Sequence, residues 1–187
     1  MHEAASLART GPDGRRTVVD LCCGSGAVGA ALAAALDDIE LYAVDIDPAA
    51  VTCARRNIVA GNVYQGDLYA PLPDTLRGRV HILAANAPYV PTDSVELLPP
   101  EARIHEKRLA LDGGTDGLDA LRRVIAAAPA WLAPGGHLLF ETSERQAADA
   151  AATVARAGLA PRIVRSDELD ATIVVGTRAP SRTKSGG

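Results

Sequence analysis

Thr17-Val18-Val19-Asp20-Leu21-Cys22-Cys23-Gly24-Ser25-Gly26-Ala27-Val28-Gly29 is the stretch on which the fold turns. Its first five residues run without alternation, as in a parallel strand buried on both faces. The glycines that follow, Gly24 to Gly29, let the backbone turn sharply and bring its amides close to a ligand. An alanine-rich helix to about Leu36 is expected next.

The same strand-then-helix unit recurs along the chain. Strands are expected at Glu40–Val44, ending at Asp45, and at Asn62–Gln65, Val80–Ala85 and His137–Glu141. Helices are expected from Pro48 to about Ala60, from Leu118 to Leu132 and from about Glu144 to Ala157, the last stopped by Gly158. Pro161–Val164 and Ala171–Gly176 lie only a few residues apart and read as a hairpin. This order predicts an α/β fold, a doubly wound, mostly parallel seven-stranded Rossmann-like sheet with a C-terminal antiparallel hairpin. Residues 1–16 read as a short helix and turn, 17–178 as the folded domain and 179–187 as a disordered tail. Between Asn86 and Gly117 the pattern is irregular, and so long a loop inside a compact domain is usually functional.

Composition narrows the partners. The chain has 187 residues, 48% of them hydrophobic and 22% charged, enough for one globular core and too apolar for a disordered segment. A net charge of −4 and a pI near 5.5 give no global attraction to phosphate polyanions, which counts against nucleic acid. No apolar stretch has membrane-spanning length and MHEAASLART lacks a signal core, so a cytoplasmic protein without membrane contact is expected. The three cysteines fit neither a disulfide framework nor a C-x-x-C zinc site and read as small apolar fillers. His2, His81, His105 and His137 show no ligand spacing, so no metal is expected.

In a doubly wound sheet the ligand sits at the carboxyl ends of the strands. There the sequence places Asp20 to Gly26, Asp45, Asp67 and Asn86-Ala87-Pro88-Tyr89. An acid that ends the second strand can grip two ribose hydroxyls, so together these describe a nucleoside pocket. Gly24-Ser25-Gly26-Ala27-Val28-Gly29 also matches the G-x-G-x-x-G dinucleotide fingerprint. Asp20 argues against a pyrophosphate there, because its charge would repel phosphate and welcome a cationic sulfonium or amino group. An NAD-dependent oxidoreductase and an inactive nucleoside-binding module remain as alternatives.

From Thr17 to Arg178 the chain resembles the S-adenosylmethionine-dependent methyltransferases of the HemK/PrmC type, the protein-(glutamine-N5) methyltransferases. Asp20 to Gly26 is similar to the family's D-L-G-T-G-S-G loop, with Cys22 in place of the first glycine. Asp45-Ile46-Asp47-Pro48 resembles its ribose-binding acid and following helix, and Arg55-Arg56-Asn57 the usual continuation. Gly66-Asp67-Leu68 resembles the segment beside adenine. Leu109 to Leu118 resembles A-L-x-G-G-x-D-G-L, and Asn86-Ala87-Pro88-Tyr89 resembles Asn-Pro-Pro-Tyr.

The resemblance implies S-adenosyl-L-methionine as cofactor, bound by Asp20, Cys22, Gly24, Gly26, Asp45, Ile46, Asp67, Leu68 and Asn86. It also implies a catalytic tetrapeptide. A carboxamide nitrogen is a poor nucleophile because its lone pair is delocalised, so it must be oriented. By the resemblance the Asn86 side chain and the Ala87 carbonyl each accept one amide hydrogen, and Tyr89 packs on the planar acceptor beside Pro88. Adenine amino groups on DNA or RNA are the alternative acceptor. Glu106 falls at a family glutamate between unlike neighbours; Glu141 and Gln146 also match and read as structural, while Arg122 and Arg123 read as a solvated helix face. Family members carry a leading helical substrate-binding domain and a Phe-Val-Pro-Arg-like segment, neither of which is found here. The expected partner is thus a peptide-chain release factor, recognised poorly unless a missing N-terminal domain or a partner subunit contributes.

Overall fold

A computed structural model of the chain describes residues 2–10, 14–93, 113–166 and 171–181. The elements are α1 (His2–Thr10), β1 (Arg16–Leu21), α2 (Ala27–Ala35), β2 (Ile39–Asp45), α3 (Pro48–Asn57) and β3 (Asn62–Gln65). After a 3₁₀ turn at Asp74–Leu76 come β4 (Val80–Ala85), α4 (Asp119–Trp131), β5 (Leu132–Thr142), α5 (Ala147–Arg156), β6 (Ala160–Ser166) and β7 (Ala171–Thr177).

The strands form one seven-stranded sheet in the order β3-β2-β1-β4-β5-β7-β6. β1 pairs in parallel with β2 and β4, whereas β7 runs antiparallel to both β5 and β6. The expected doubly wound sheet and terminal hairpin are therefore present. β1 is buried along Thr17–Leu21, which is why its sequence does not alternate. The strand order reverses between β1 and β4, and the crevice above that switch is where such sheets bind ligands.

Two cores flank the sheet. On one face Val19, Leu83, Phe140 and Leu138 pack with Leu121, Ile125 and Trp131 of α4 and Val154 of α5. On the other, Val18, Leu41, Ile82 and Val175 pack with Leu32 of α2, Ala54 of α3 and Ala4, Ala5 and Ala8 of α1. α1 is thus part of the core, and small alanine side chains allow it to lie close to the sheet. Among the described residues no helix is long and apolar enough to cross a membrane.

Several expected boundaries shift. Gly29 lies inside α2 rather than in the turn, because its amide donates to Asp20 instead of closing a loop. α3 ends at Asn57 rather than near Ala60, where Ile58 is extended and its N–H still bonds to Ala54. β5 begins at Leu132, five residues early, and absorbs Pro134-Gly135-Gly136 as an irregularity opposite Val80 and Ile82. Arg178 extends the pairing of β7 with β5: its N–H donates to Gly136 O and its carbonyl accepts from Gly135 N. Residues 182–187, Glu106 and Leu109 to Asp112 lie outside the described residues.

Candidate active site

The residues singled out in the sequence converge at the carboxyl ends of β1 to β4. Asp20 is in β1 one residue from its end, Asp45 closes β2, Asp67 follows β3 by two residues and Asn86 follows β4 directly. A cavity of about 130 Å³ lies at the ends of β1 and β4, lined by Asp20, Val28, Asn86, Glu141 and Ile173 among others; Asp45 and Asp67 are not on its wall.

Asp20 is 1% exposed. One carboxylate oxygen, Oδ2, accepts from Gly29 N at 2.9 Å, whereas Oδ1 is buried and has no partner among the described residues. Burial pushes this carboxyl up to about 7, the Asp45 charge adds to the effect and the Gly29 amide opposes it. A buried carboxylate oxygen without a donor is costly by itself, and its place on the cavity wall suits a cationic or N–H-bearing ligand.

Asp45 stands next to it. Its Oδ2 accepts from Gly24 N at 2.8 Å and its Oδ1 from Asp47 N at 2.9 Å. Each oxygen keeps a second lone pair, so a diol can still be gripped. Ile46, the next residue, is 49% exposed and leaves an apolar side chain open to a ligand. Asp47 in turn caps α3 by accepting from Ala49 N, which fixes the turn that carries Ile46.

The glycine loop is held from α3. Asn57 Nδ2 donates to Ser25 O at 2.9 Å, and Gly26 has φ of 77°, where an added Cβ would lie 2.9 Å from Ile58 Cδ1. Cys22 also adopts a positive φ of 53°, a conformation that costs a non-glycine residue roughly 1–2 kcal/mol. Its half-buried side chain packs against the core. Burial and the charges of Asp45, Asp20 and Asp67, opposed by Arg123, push its thiol up to about 12. Cys23 is likewise pushed up to about 12, foremost by burial, which keeps both thiols protonated at neutral pH. Cys53 is instead exposed.

Asp67 is exposed and Leu68 half-buried, the latter with φ of 48°. Asp67 does not stand alone: Arg123 of α4 donates to its Oδ2 at 2.5 Å. Arg123 is therefore not a merely solvated cation. Arg122 pairs with Asp116 and Asp119. These pairs span 56 and three to six residues, and only the short ones carry a sequence signal.

On the facing side, Asn86 N donates to Leu21 O at 3.1 Å, stitching the tetrapeptide to the end of β1. Asn86 is exposed and lines the cavity with Asp20, whereas Ala87 is 1% exposed. Tyr89 OH donates to Glu141 Oε1 at 3.3 Å, and Tyr89 O accepts from Gln146 Nε2 at 3.0 Å. These two partners, 52 and 57 residues away, carry a contact that sequence reading took as generally structural.

The comparisons agree with this geometry. The family model Methyltransferase small domain matches residues 5–97. The chain is 37% identical over 165 residues to the release factor glutamine methyltransferase of Geobacter sulfurreducens, covering 86% of this chain and 57% of that protein. It is 39% identical over 136 residues to the ribosomal protein uL3 glutamine methyltransferase of Bradyrhizobium diazoefficiens, covering 70% and 41% respectively. The chain spans about half the length of the curated relatives it matches. Among solved structures, a methyltransferase from Pyrococcus furiosus has the same fold, with a TM-score of 0.66 at 13% identity over 95% of this chain and 82% of that one.

Fold and site together define a Rossmann-like methyltransferase domain. Its sequence relatives narrow the class, and the chain is similar to the HemK/PrmC-type methyltransferases. The cofactor of that family is S-adenosylmethionine. The residues present fit it: a buried acid with one oxygen unpartnered among the described residues lines the cavity, an acid with lone pairs left for a diol ends β2, and an exposed apolar residue follows that acid.

Proposed function

We propose that this chain transfers a methyl group from S-adenosylmethionine to a planar amide nitrogen, the side-chain carboxamide of a protein glutamine. The observation that carries the reading is that Asn86-Ala87-Pro88-Tyr89 leaves β4 at the cavity that Asp20 also lines. When bound, the cofactor supplies an electrophilic methyl on a sulfonium. Asp45 would hold the ribose hydroxyls, Ile46 and Leu68 would cover the adenine, and Asp67 would border it. Gly24 and Gly26 allow the close backbone approach, with Cys22 filling the turn, and Asp20 provides the opposite charge.

On the acceptor side, Asn86 Oδ1 and Ala87 O each take one amide hydrogen, which turns the nitrogen's lone pair toward the donor. Pro88 stiffens the turn, and the Tyr89 ring, tethered to Glu141, packs on the flat carboxamide. The catalytic unit is residues 17–178, and a peptide-chain release factor is the substrate class, as named for several relatives. The work of these residues is orientation rather than deprotonation.

The test is methyl transfer from labelled S-adenosylmethionine to a release factor, followed by mass analysis of the labelled residue. Label on glutamine supports the reading. Label on an adenine, or competition of NAD with the donor in titration calorimetry, overturns it.

A further inference from the structure

Gln146 stands at the N-cap of α5, yet its side chain does not cap the helix. Its carboxamide points to the facing loops and is fully used. Nε2 donates to Tyr89 O at 3.0 Å and to Asp116 O at 2.8 Å, while Oε1 accepts from Ser143 Oγ at 2.5 Å and Thr142 Oγ1 at 3.4 Å. Both donor hydrogens and the acceptor are committed, so the amide has one orientation.

The two carbonyls it bridges belong to the two ends of one excursion of the chain. Gly113 N donates to Val90 O at 2.8 Å and Thr92 N to Gly114 O at 2.9 Å, closing a neck directly after the tetrapeptide. There is no slack in that neck. At Gly117, with φ of 76°, an added Cβ would lie 2.3 Å from Tyr89 O and 2.4 Å from Gln146 Nε2. The bare backbone of Gly117 thus leaves room for the Gln146 carboxamide at the Tyr89 carbonyl, room that a side chain there would take.

We infer that Gln146 is a positioning residue for methyl transfer: its carboxamide locks Tyr89 O to the neck and so sets where Asn86 and the Ala87 carbonyl meet the acceptor nitrogen. This rests on the amide-nitrogen reading above. Gln146 touches neither donor nor acceptor. Its effect passes through three residues of backbone, and misplacing reacting atoms by about 1 Å can cost on the order of 10²-fold in rate.

The experiment compares Gln146→Ala, Gln146→Glu, Gly117→Ala and the Gln146→Ala/Gly117→Ala double variant with the parent chain. The readouts are the rate of methyl transfer to a glutamine-bearing release factor, donor affinity by calorimetry and the thermal melt. Gln146→Glu keeps the size of the side chain and removes both donors, so it serves if truncation disturbs folding. Each single variant is expected to lose about 10- to 100-fold in transfer with donor affinity within about two-fold. The double variant is expected to lose no more than the worse single one, because both break one contact. Losses that multiply in the double variant, or a folded Gln146→Glu that transfers at the parent rate, overturn the assignment. If Asn86→Ala also transfers at the parent rate, the amide-nitrogen reading falls; if Asn86→Ala is crippled and Gln146→Glu is not, only the role of Gln146 falls. A parent chain that binds the donor but methylates no glutamine overturns both.

Discussion

The two sides of the cleft above β1 and β4 are held together over different spans of chain. On the donor side, Asp20 reaches Gly29, Asp45 reaches Gly24 and Asp47, and Asn57 reaches Ser25, over separations of 2 to 32 residues, whereas Asp67 at the adenine end reaches Arg123, 56 residues away. On the acceptor side, Tyr89 is tied to Glu141 and Gln146, which lie 52 and 57 residues away. The donor half is one βαβ unit with its turn chemistry built in. The acceptor half exists only after α5 and β5 have docked against the loop that follows β4. A donor pocket of this kind is formed by local folding, whereas acceptor geometry depends on the whole domain.

The sharpest break between the halves is expected at Asn86. It is exposed, it lines the cavity, and its backbone N–H is already satisfied by Leu21. Asn86→Ala should lower methyl transfer by about 10²–10³-fold, the usual loss when one oriented polar group is removed from a closed site. Donor affinity measured by calorimetry should hardly change. A comparable fall in donor affinity would make the two halves a single site.

Asp45 gives the reverse pattern. Asp45→Ala removes the partner of two backbone amides as well as of the ribose, so donor affinity should fall at least about 10-fold. The domain should still melt cooperatively, because the β1–β2 ladder does not depend on that side chain. Unchanged affinity would take Asp45 out of the site.

How much of this was legible in the sequence divides along the same line. The βαβ half could be read because each device has a local cause: an unalternating strand, glycines after it, an acid at the next strand end and a proline at N1 of α3. The acceptor half could be read only as a tetrapeptide. Its support, Gln146, leaves no periodic or spacing signal, and neither does the Asp67–Arg123 pair on the donor side, since a glutamine at a helix start and an arginine on a helix face have ordinary local explanations. The start of β5 was missed for a related reason. Pro134-Gly135-Gly136 has the composition of a turn, and only pairing with β4 and with Arg178 holds it in the sheet.

A smaller effect is expected from Asp20, and it depends on pH. Its carboxyl titrates at about 7 in the fold against an ordinary 3.8, so its contribution to stability is fully present below 3.8 and is lost as pH rises through about 7. Asp20→Asn removes that loss while keeping an acceptor for Gly29 N. At pH 8 without donor the variant should melt several degrees above the parent, and at pH 4 the difference should vanish. The cationic donor needs the ionised acid. Donor affinity of the parent should therefore rise as pH rises toward about 7, and the variant should bind the donor a few-fold more weakly above that. Identical melting curves of parent and variant at pH 8 would show that the buried acid carries no such strain.

The least effect is expected at Ala87, where a large one would blur the comparison most. Ala87 is 1% exposed, its carbonyl is the proposed second acceptor for the amide hydrogens, and no hydrogen bond from its own N–H is found among the described residues. Ala87→Pro therefore removes no backbone bond and keeps the carbonyl. It restores the Asn-Pro-Pro-Tyr form and stiffens the loop, which is worth about 0.4–1 kcal/mol where the backbone already fits the ring. The burial of Ala87 works against the change, since the ring must find room beside the end of β4. With both effects small and opposed, transfer should stay within a few-fold of the parent and donor affinity should not move, measured on the same release-factor substrate. A loss of donor affinity on Ala87→Pro would mean that the loop after β4 shapes the donor pocket as well, and that the two sides are not built separately.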